Sequence, residues 1–370
     1  MARLDQICSL NMGQSPDSSS YNENGEGMPF FQGNADFGKV HPRVRVWCSA
    51  PTKVAHAGDV LISVRAPIGA LNIADRECCI GRGLAALTVN EELCNKDYLW
   101  YAIASKVDEL NSKGTGSTFK AISKSVLAET EIPLPTLGEQ QGMARQLAKV
   151  DELIAQRKEQ LAKLDELVKS RFIELFGDPQ SNPYGYQYAK LSDIATYFNG
   201  LTYKPENVTE ECTIVLRSSN IQNSQLDFAD TVRVDCAIKE RLMVQENDIL
   251  MCSRNGSAKL VGKVALIKGI QEPMSFGAFM MIIRSPYFGY LMTYFQMDAF
   301  RQQIKTGATT TINQITGRML DDITIPLPPM ALVDQFSAFV KQTDKTKLAI
   351  QQSLAELETL KKALMQKYFG

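Results

Sequence analysis

The sequence predicts an α+β protein written twice: two similar globular domains separated by two long helices that form an antiparallel coiled coil, with a pseudo-two-fold internal repeat. Three observations predict it. The tetrapeptide Ile-Pro-Leu-Pro stands at 132–135 and again at 325–328, an offset of 193 residues. Each copy closes a region of short apolar runs broken by Gly, Pro and Asn. Each is followed by about 40 residues of helical periodicity with no interior proline.

The globular parts come first in each half. Leu4-Asp5-Gln6-Ile7 matches Leu191-Ser192-Asp193-Ile194, and Gly58-Asp59-Val60-Leu61-Ile62-Ser63 matches Asn247-Asp248-Ile249-Leu250-Met251-Cys252. Gly114-Thr115-Gly116-Ser117-Thr118 matches Gly307-Ala308-Thr309-Thr310-Thr311. The offsets are 187, 189 and 193, and 193 then holds through Ile122 and Ile315 to Phe176-Gly177 and Phe369-Gly370. The register drifts in the globular parts and locks from the Gly/Ser/Thr loop onward. The apolar runs at 44–48, 59–64 and 263–268 read as strands, and Asp97 and Phe288 begin segments that read as helices. Proline cannot donate to a strand ladder and biases its predecessor toward extended geometry. Ile-Pro-Leu-Pro is therefore an edge strand or extended strap leading out of each domain.

The long helices follow. Leu147, Val150, Ile154, Leu161, Leu164, Val168 and Leu175 keep 3–4 spacing in the first. Phe336, Ile350, Leu357, Leu360 and Leu364 keep it in the second, with Phe339, Val340 and Leu354 between them. At ~1.5 Å per residue each helix spans roughly 60 Å. The expected boundaries are a first domain over 1–135, a helix over 136–177, a second domain over 178–328 and a helix over 329–370. The first helix ends at the second domain, so a second helix packed on the first runs back toward the first domain. A helix this long cannot bury its full length on its own globule.

Composition bounds the function. At 44% hydrophobic and 22% charged the chain is an ordinary globular protein with room for two domains. Its N-terminus has no apolar run for a signal peptide or membrane span, which predicts a cytoplasmic location and no membrane partner. The eight cysteines form no CxxC, and the histidines are His41 and His56 alone. No metal site is expected, and the thiols read as buried and reduced. A net charge of −1 does not mark a nucleic-acid protein, but it says little about one face. Two similar but non-identical domains at a fixed separation would suit two different DNA half-sites in inverted orientation.

The segments 114–141 (GTGSTFKAISKSVLAETEIPLPTLGEQQ) and 307–336 (GATTTINQITGRMLDDITIPLPPMALVDQF) resemble the repeated signature of the specificity subunits of type I restriction–modification systems. The resemblance covers the whole chain. The second copy departs from it, with Thr309-Thr310-Thr311 near the Gly-Ser-Thr position and Val333-Asp334-Gln335 replacing Gly138-Glu139-Gln140. The resemblance implies a non-catalytic subunit whose two domains are target-recognition domains, each for half of a bipartite double-stranded DNA target. The helices set the gap and dock two adenine methyltransferase subunits. Motor–nuclease subunits complete an ATP-dependent endonuclease, and S-adenosylmethionine and ATP belong to the partners, with no cofactor on this chain.

The residues agree that no chemistry is carried here. Asn182-Pro183-Tyr184 lacks the second proline of an amino-methyltransferase loop and reads as the turn ending the first helix, after Gly177. Gly256 to Lys263 has five residues between its glycines and Val264 after the lysine, so it is not a phosphate loop. A stand-alone methyltransferase or nuclease is disfavoured by these absences. A coiled-coil interaction scaffold that binds no DNA remains the alternative.

For DNA contact, Lys and Arg meet phosphates, while Arg reads guanine and Asn or Gln reads adenine. In the first domain Lys39, His41, Arg43 and Arg45 alternate along an apparent strand and would share a face. Arg65, Arg82, Lys113 and Lys120 are further candidates. In the second domain they are Lys204, Arg217, Asn220, Arg254, Asn255, Lys259 and Lys305. The loops at Gly116, Ser117 and Thr118 and at Thr309, Thr310 and Thr311 offer N–H groups and hydroxyls to phosphate.

Overall fold

Burial on both faces explains why the central strands read as unbroken apolar runs. In Val60–Ser63, Val60 and Ile62 enter one core and Leu61 another, and all three are fully buried. Ile249–Cys252 repeats this, with Ile249 and Met251 on one side and Leu250 and Cys252 on the other. A strand covered on both faces has no polar side to show. The computed structural model describes residues 1–116, 120–305 and 313–370. The chain divides into one unit of Met1–Glu159 with Gln351–Gly370 and a second of Gln160–Ile350.

Unit one holds an antiparallel sheet in the order Cys8–Met12, Leu84–Val89, Val60–Ser63, Leu71–Ile73. Helices Lys96–Ser105, Val107–Ser112 and Lys124–Ala128 contribute Tyr98, Leu99, Ile103, Leu110 and Leu127 to the core on one face. The other face packs on a five-stranded sheet, Tyr21–Asn22, Val46–Cys48, Met28–Phe31, Cys78–Ile80, Val54–Ala55, through Phe31 and Ile80. Unit two repeats the order as Thr196–Asn199, Met280–Arg284, Ile249–Cys252, Val264–Leu266, backed by Val208–Thr209, Val232–Val234, Thr213–Leu216, Met274–Phe276. In both backing sheets one pair is parallel, Met28–Phe31 with Cys78–Ile80 and Thr213–Leu216 with Met274–Phe276. The α+β class and its internal repeat are thus present in strand order as well as in sequence.

The repeated Ile-Pro-Leu-Pro has a shared structural role. Glu131–Ile132 pairs with Ala2–Arg3, and Thr324–Pro326 with Tyr188–Lys190, each as a two-stranded ribbon. Ile132 and Ile325 are fully buried. The carbonyl of Pro133 accepts the hydroxyl of Tyr98 at 2.8 Å, and that of Pro326 accepts the hydroxyl of Tyr290 at 3.0 Å. Proline has no N–H to give but keeps its acceptor.

A capping box opens the first long helix, Leu137–Phe176. The Thr136 N–H donates to Glu139 Oε2 at 2.9 Å and the Glu139 N–H to Thr136 Oγ1 at 3.4 Å. The Thr136 hydroxyl, donating to Glu139 Oε2 at 2.7 Å, and then the Thr136 N–H hold the Glu139 carboxyl below its ordinary value. Gly177 ends the helix at φ +74, where a Cβ would lie 2.4 Å from Pro183 Cγ. The second long helix is Met330–Phe369.

Within each unit the two helices run antiparallel. In unit one Gln146 accepts from Tyr368, Asp151 meets Lys361 at 2.6 Å, and Arg157 Nε donates to Ser353 Oγ at 3.2 Å. In unit two Asp165 meets Lys347 at 2.5 Å, and Phe172 and Phe176 pack edge-on against Phe336. Leu147 and Phe369 join the core of unit one, and Phe172, Phe176, Val333 and Phe336 that of unit two. The helix ends are therefore part of the globular cores as well as of the helix pair. Val150 is buried, and Ile154, Leu161, Leu164, Val168, Leu175, Ile350, Leu357 and Leu364 are half-buried. Leu360 corrects the expected seam, being 46% exposed. The seam steps from Leu357 to half-buried Lys361, whose amine reaches Asp151 on the facing helix.

Candidate nucleic-acid interface

Loops at one end of each central sheet converge on a shared geometry. In unit one the chain leaves Val60–Ser63 into Arg65, which bridges Ala121. The turn Gly81-Arg82-Gly83 connects Cys78–Ile80 to Leu84–Val89, and Gln32 and Asn34 follow Met28–Phe31. Together they border a cleft of ≈ 230 Å³ lined by Gln32, Asn34, Arg65 and Arg82. Glycine lets the backbones meet: a Cβ on Gly13 would lie 2.2 Å from the Gly81 carbonyl oxygen, and one on Gly83 2.4 Å from that of Gln32. Arg65, Arg82 and Lys120 are exposed, and among the described residues no carboxylate pairs with them. The Ala66 N–H donates to the Lys120 carbonyl at 3.0 Å, tying the third cation to the first. Three unneutralised cations beside amide side chains make a site for a polyanion with hydrogen-bonding edges.

Unit two repeats the frame. Arg254 follows Ile249–Cys252 and bridges Gln314. Gly277-Ala278-Phe279 replaces Gly81-Arg82-Gly83, and Arg217 stands where Gln32 does. The hydrogen bonds set the register: the Val64 N–H donates to Gly83 at 2.9 Å and the Ser253 N–H to Phe279 at 3.0 Å. The Gly81 N–H donates to Phe31 at 2.8 Å and the Gly277 N–H to Leu216 at 2.9 Å. A Cβ on Gly200 would lie 2.2 Å from the Gly277 oxygen, as Gly13 does from Gly81. The Arg254 guanidinium lies over the Phe279 ring, 5.5 Å from its centroid.

The remaining candidates separate by environment. Lys39, His41, Arg43 and Arg45 precede or flank the strand Val46–Cys48 rather than alternating along it, so the expected shared face is corrected. The turn at 38–41, closed by the Gly38 N–H on the His41 carbonyl, breaks the extended run. Lys39 and Arg43 are exposed, while Arg45 is drawn onto the buried carboxylate of Asp36. Asn220 is also corrected as a base reader. It is fully buried, accepts the Arg217 N–H at 2.8 Å and donates to the carbonyls of Asp227 and Asp230. Arg217 pairs with Asp230 at 2.8 Å, Lys113 with Glu109 at 2.6 Å and Lys204 with Glu206 at 3.2 Å. Asn255 holds its own loop, donating to Ser218 Oγ and accepting the Ser257 N–H. Lys259 is exposed, Gly116 is exposed at φ +122, and Lys305 ends the helix Asp298–Lys305. Ser117, Thr118, Thr309, Thr310 and Thr311 lie outside the described residues.

Burial pushes the thiols of Cys8 and Cys78 up to about 12 and that of Cys94 to about 11, so these stay protonated and weakly nucleophilic. Cys212 is exposed and Cys236 half-buried, unlike the buried thiols expected throughout. Asn182 spends its amide within its own loop, donating to the Tyr186 carbonyl at 2.7 Å and accepting its N–H at 3.0 Å. The segment after Gly256 runs into the strand Val264–Leu266, whereas a phosphate loop opens a helix. A second cleft, ≈ 340 Å³, includes Arg284, whose guanidinium is already held by Asp248 at 2.7 and 2.8 Å. Among the described residues no helix is long and apolar enough to cross a membrane, and no group of three His, Cys, Asp or Glu is placed to hold a metal.

Two α+β units with one strand order, each joined to part of two long helices, define an internally duplicated protein. The chain belongs to the family described as type I restriction modification DNA specificity domain, whose model matches residues 1–165 and 183–359. Over 149 residues it is 46% identical to a Methanocaldococcus jannaschii protein carrying the name type I restriction enzyme MjaX specificity subunit, covering 40% of this chain and 35% of that one. Over 196 residues it is 29% identical to the type I restriction enzyme EcoKI specificity subunit of Escherichia coli K12, covering 50% of this chain and 42% of the relative. The matches thus span well under half the length of either relative. The fold is shared with the type I restriction–modification S subunit from M. genitalium, at a TM-score of 0.62 and 16% identity over 100% of this chain and 95% of that one.

Proposed function

We propose that this chain is the sequence-reading subunit of a type I restriction–modification complex. Each unit reads one half of a bipartite, asymmetric double-stranded DNA target. The long helices set the gap between halves and dock two adenine methyltransferase subunits, and motor–nuclease subunits complete the complex. The chain itself performs no catalysis. S-adenosylmethionine and ATP are bound by the partners, and the complex works in the cytoplasm, where the DNA is.

One observation carries the reading. The same loop frame recurs in both units around Arg65 and Arg254, while the side chains set upon it differ. A frame kept twice with its displayed groups changed is what two readers of two sequences require. The test maps N6-methyladenine in cells co-expressing the chain with its methyltransferase partner. A single split motif, two short blocks around a fixed gap, is expected. Salt-insensitive partner association with no DNA retention, even with the methyltransferase present, would instead favour a scaffold.

A further inference from the structure

We infer that Phe279 is a specificity-determining residue of unit two, contacting the 5-methyl group of a thymine in its half-site; this rests on the DNA-reading function proposed above. Phe279 is a large apolar side chain, 60% exposed, beside the polar loop that carries Arg254, Asn255, Ser257 and Lys259. Its position is fixed by strand pairing. Met280 pairs with Cys252 as Leu84 pairs with Ser63, so Phe279 stands where unit one has Gly83 and Ala278 where it has Arg82.

The exchange has a steric cause. A side chain at Gly83 would strike the Gln32 carbonyl at 2.4 Å, so unit one displays its turn through Arg82. In unit two the ring is presented outward with Arg254 over one face. A rigid ring backed by a guanidinium offers an apolar surface beside a fixed cation. Stacked bases show a protein only their edges, and among major-groove edges the one apolar group is the thymine methyl. Arg254 is then placed for the adjoining phosphate or base.

The experiment uses the full chain assembled with its methyltransferase subunit and duplexes carrying the motif found by methylation mapping, with each thymine replaced in turn by deoxyuridine. One position in one half-site is expected to lose about fourfold in affinity, the worth of one buried methyl. Phe279→Ala should abolish that sensitivity and relax methylation at the same T·A pair alone. Arg82→Ala should relax the other half-site.

Several results overturn the inference. Phe279→Ala with an unchanged motif and an unchanged deoxyuridine response does so. A uniform loss across all sequences places Phe279 on the backbone or on a protein partner. Deoxyuridine indifference with loss in Phe279→Ala marks a wedge between base pairs. The wild type writing no split motif at all would instead sink the underlying DNA-reading function, so the two failures are distinguishable.

Discussion

Removing a single hydroxyl tests how the strap at 132–135 is held. Tyr98→Phe keeps a fully buried ring that sits 5.3 Å from that of Phe369 and deletes only the donor to the Pro133 carbonyl. Pro133 is half-buried, so water partly replaces the lost bond, and the cost is about 1–2 kcal/mol. With a urea m-value of ~2 kcal/mol/M the midpoint of unit one falls by roughly 0.5–1 M. Both tryptophans, Trp47 and Trp100, belong to unit one, so tryptophan fluorescence follows that unit while circular dichroism follows the whole chain. Burial pushes the Tyr98 phenol from 10.0 up to about 12. The folded state thus resists ionisation, and this contribution is intact below pH 10 and lost between pH 10 and 12. The variant has no such phenol, so the gap between the two proteins narrows across that window. A fluorescence midpoint within about 0.2 M of wild type would refute the argument.

Other substitutions separate folding from recognition. Arg45→Ala strips the counter-charge from Asp36 and should lower the stability of unit one while leaving the salt dependence of DNA binding unchanged; parallel unfolding and filter-binding titrations decide it. Arg65→Ala or Arg254→Ala should weaken all DNA sequences alike and reduce the log–log salt slope by about one if the guanidinium meets a phosphate. Leu360→Glu should change stability by less than about 0.5 kcal/mol, whereas Leu357→Glu should cost roughly 2 kcal/mol or more, read from thermal unfolding. Deleting one heptad from each long helix at facing positions, around Arg157 and Ser353, should shorten the unspecified gap in the methylated motif by about 3 base pairs; an unchanged gap would refute the ruler.

What could be read in the sequence depended on how local its cause was. Ile-Pro-Leu-Pro declared a strap because proline restricts its own backbone, but its tyrosine partners, Tyr98 and Tyr290, lie more than 30 residues upstream and are joined only by folding. The helix pair was legible through its leucines. Leu360 misled because a step of three from Leu357 fits the spacing as well as the step of four to half-buried Lys361, whose charge does not read as a seam residue. The cations of the interface were legible as residue types. The structure distinguished Arg65 and Arg82, which no carboxylate engages among the described residues, from Arg45, held by a carboxylate nine positions away. Phe279 was missed because a lone phenylalanine before a strand reads as core. Only strand register shows that it occupies a glycine's place and points outward.

The two units also solve one backbone problem with different charges. The N–H after Met28–Phe31, on Gln32, is capped by Asp36 at 2.8 Å; the N–H after Thr213–Leu216, on Arg217, is capped by Asn220 at 2.8 Å. A carboxylate buried there needs a cation, and Arg45 supplies it. An amide needs none, because its own N–H groups satisfy the carbonyls of Asp227 and Asp230. The cap therefore decides how many guanidinium groups remain for an external partner without moving a strand. Residues 82, 278 and 279 act at the same level, upon backbones that Gly13 with Gly81 and Gly200 with Gly277 hold in close approach. Changes at the displayed positions leave those approaches intact, whereas a side chain at Gly13 or Gly200 would push the turn away from the sheet. Target choice can consequently diverge between the halves while the frame that carries it stays the same.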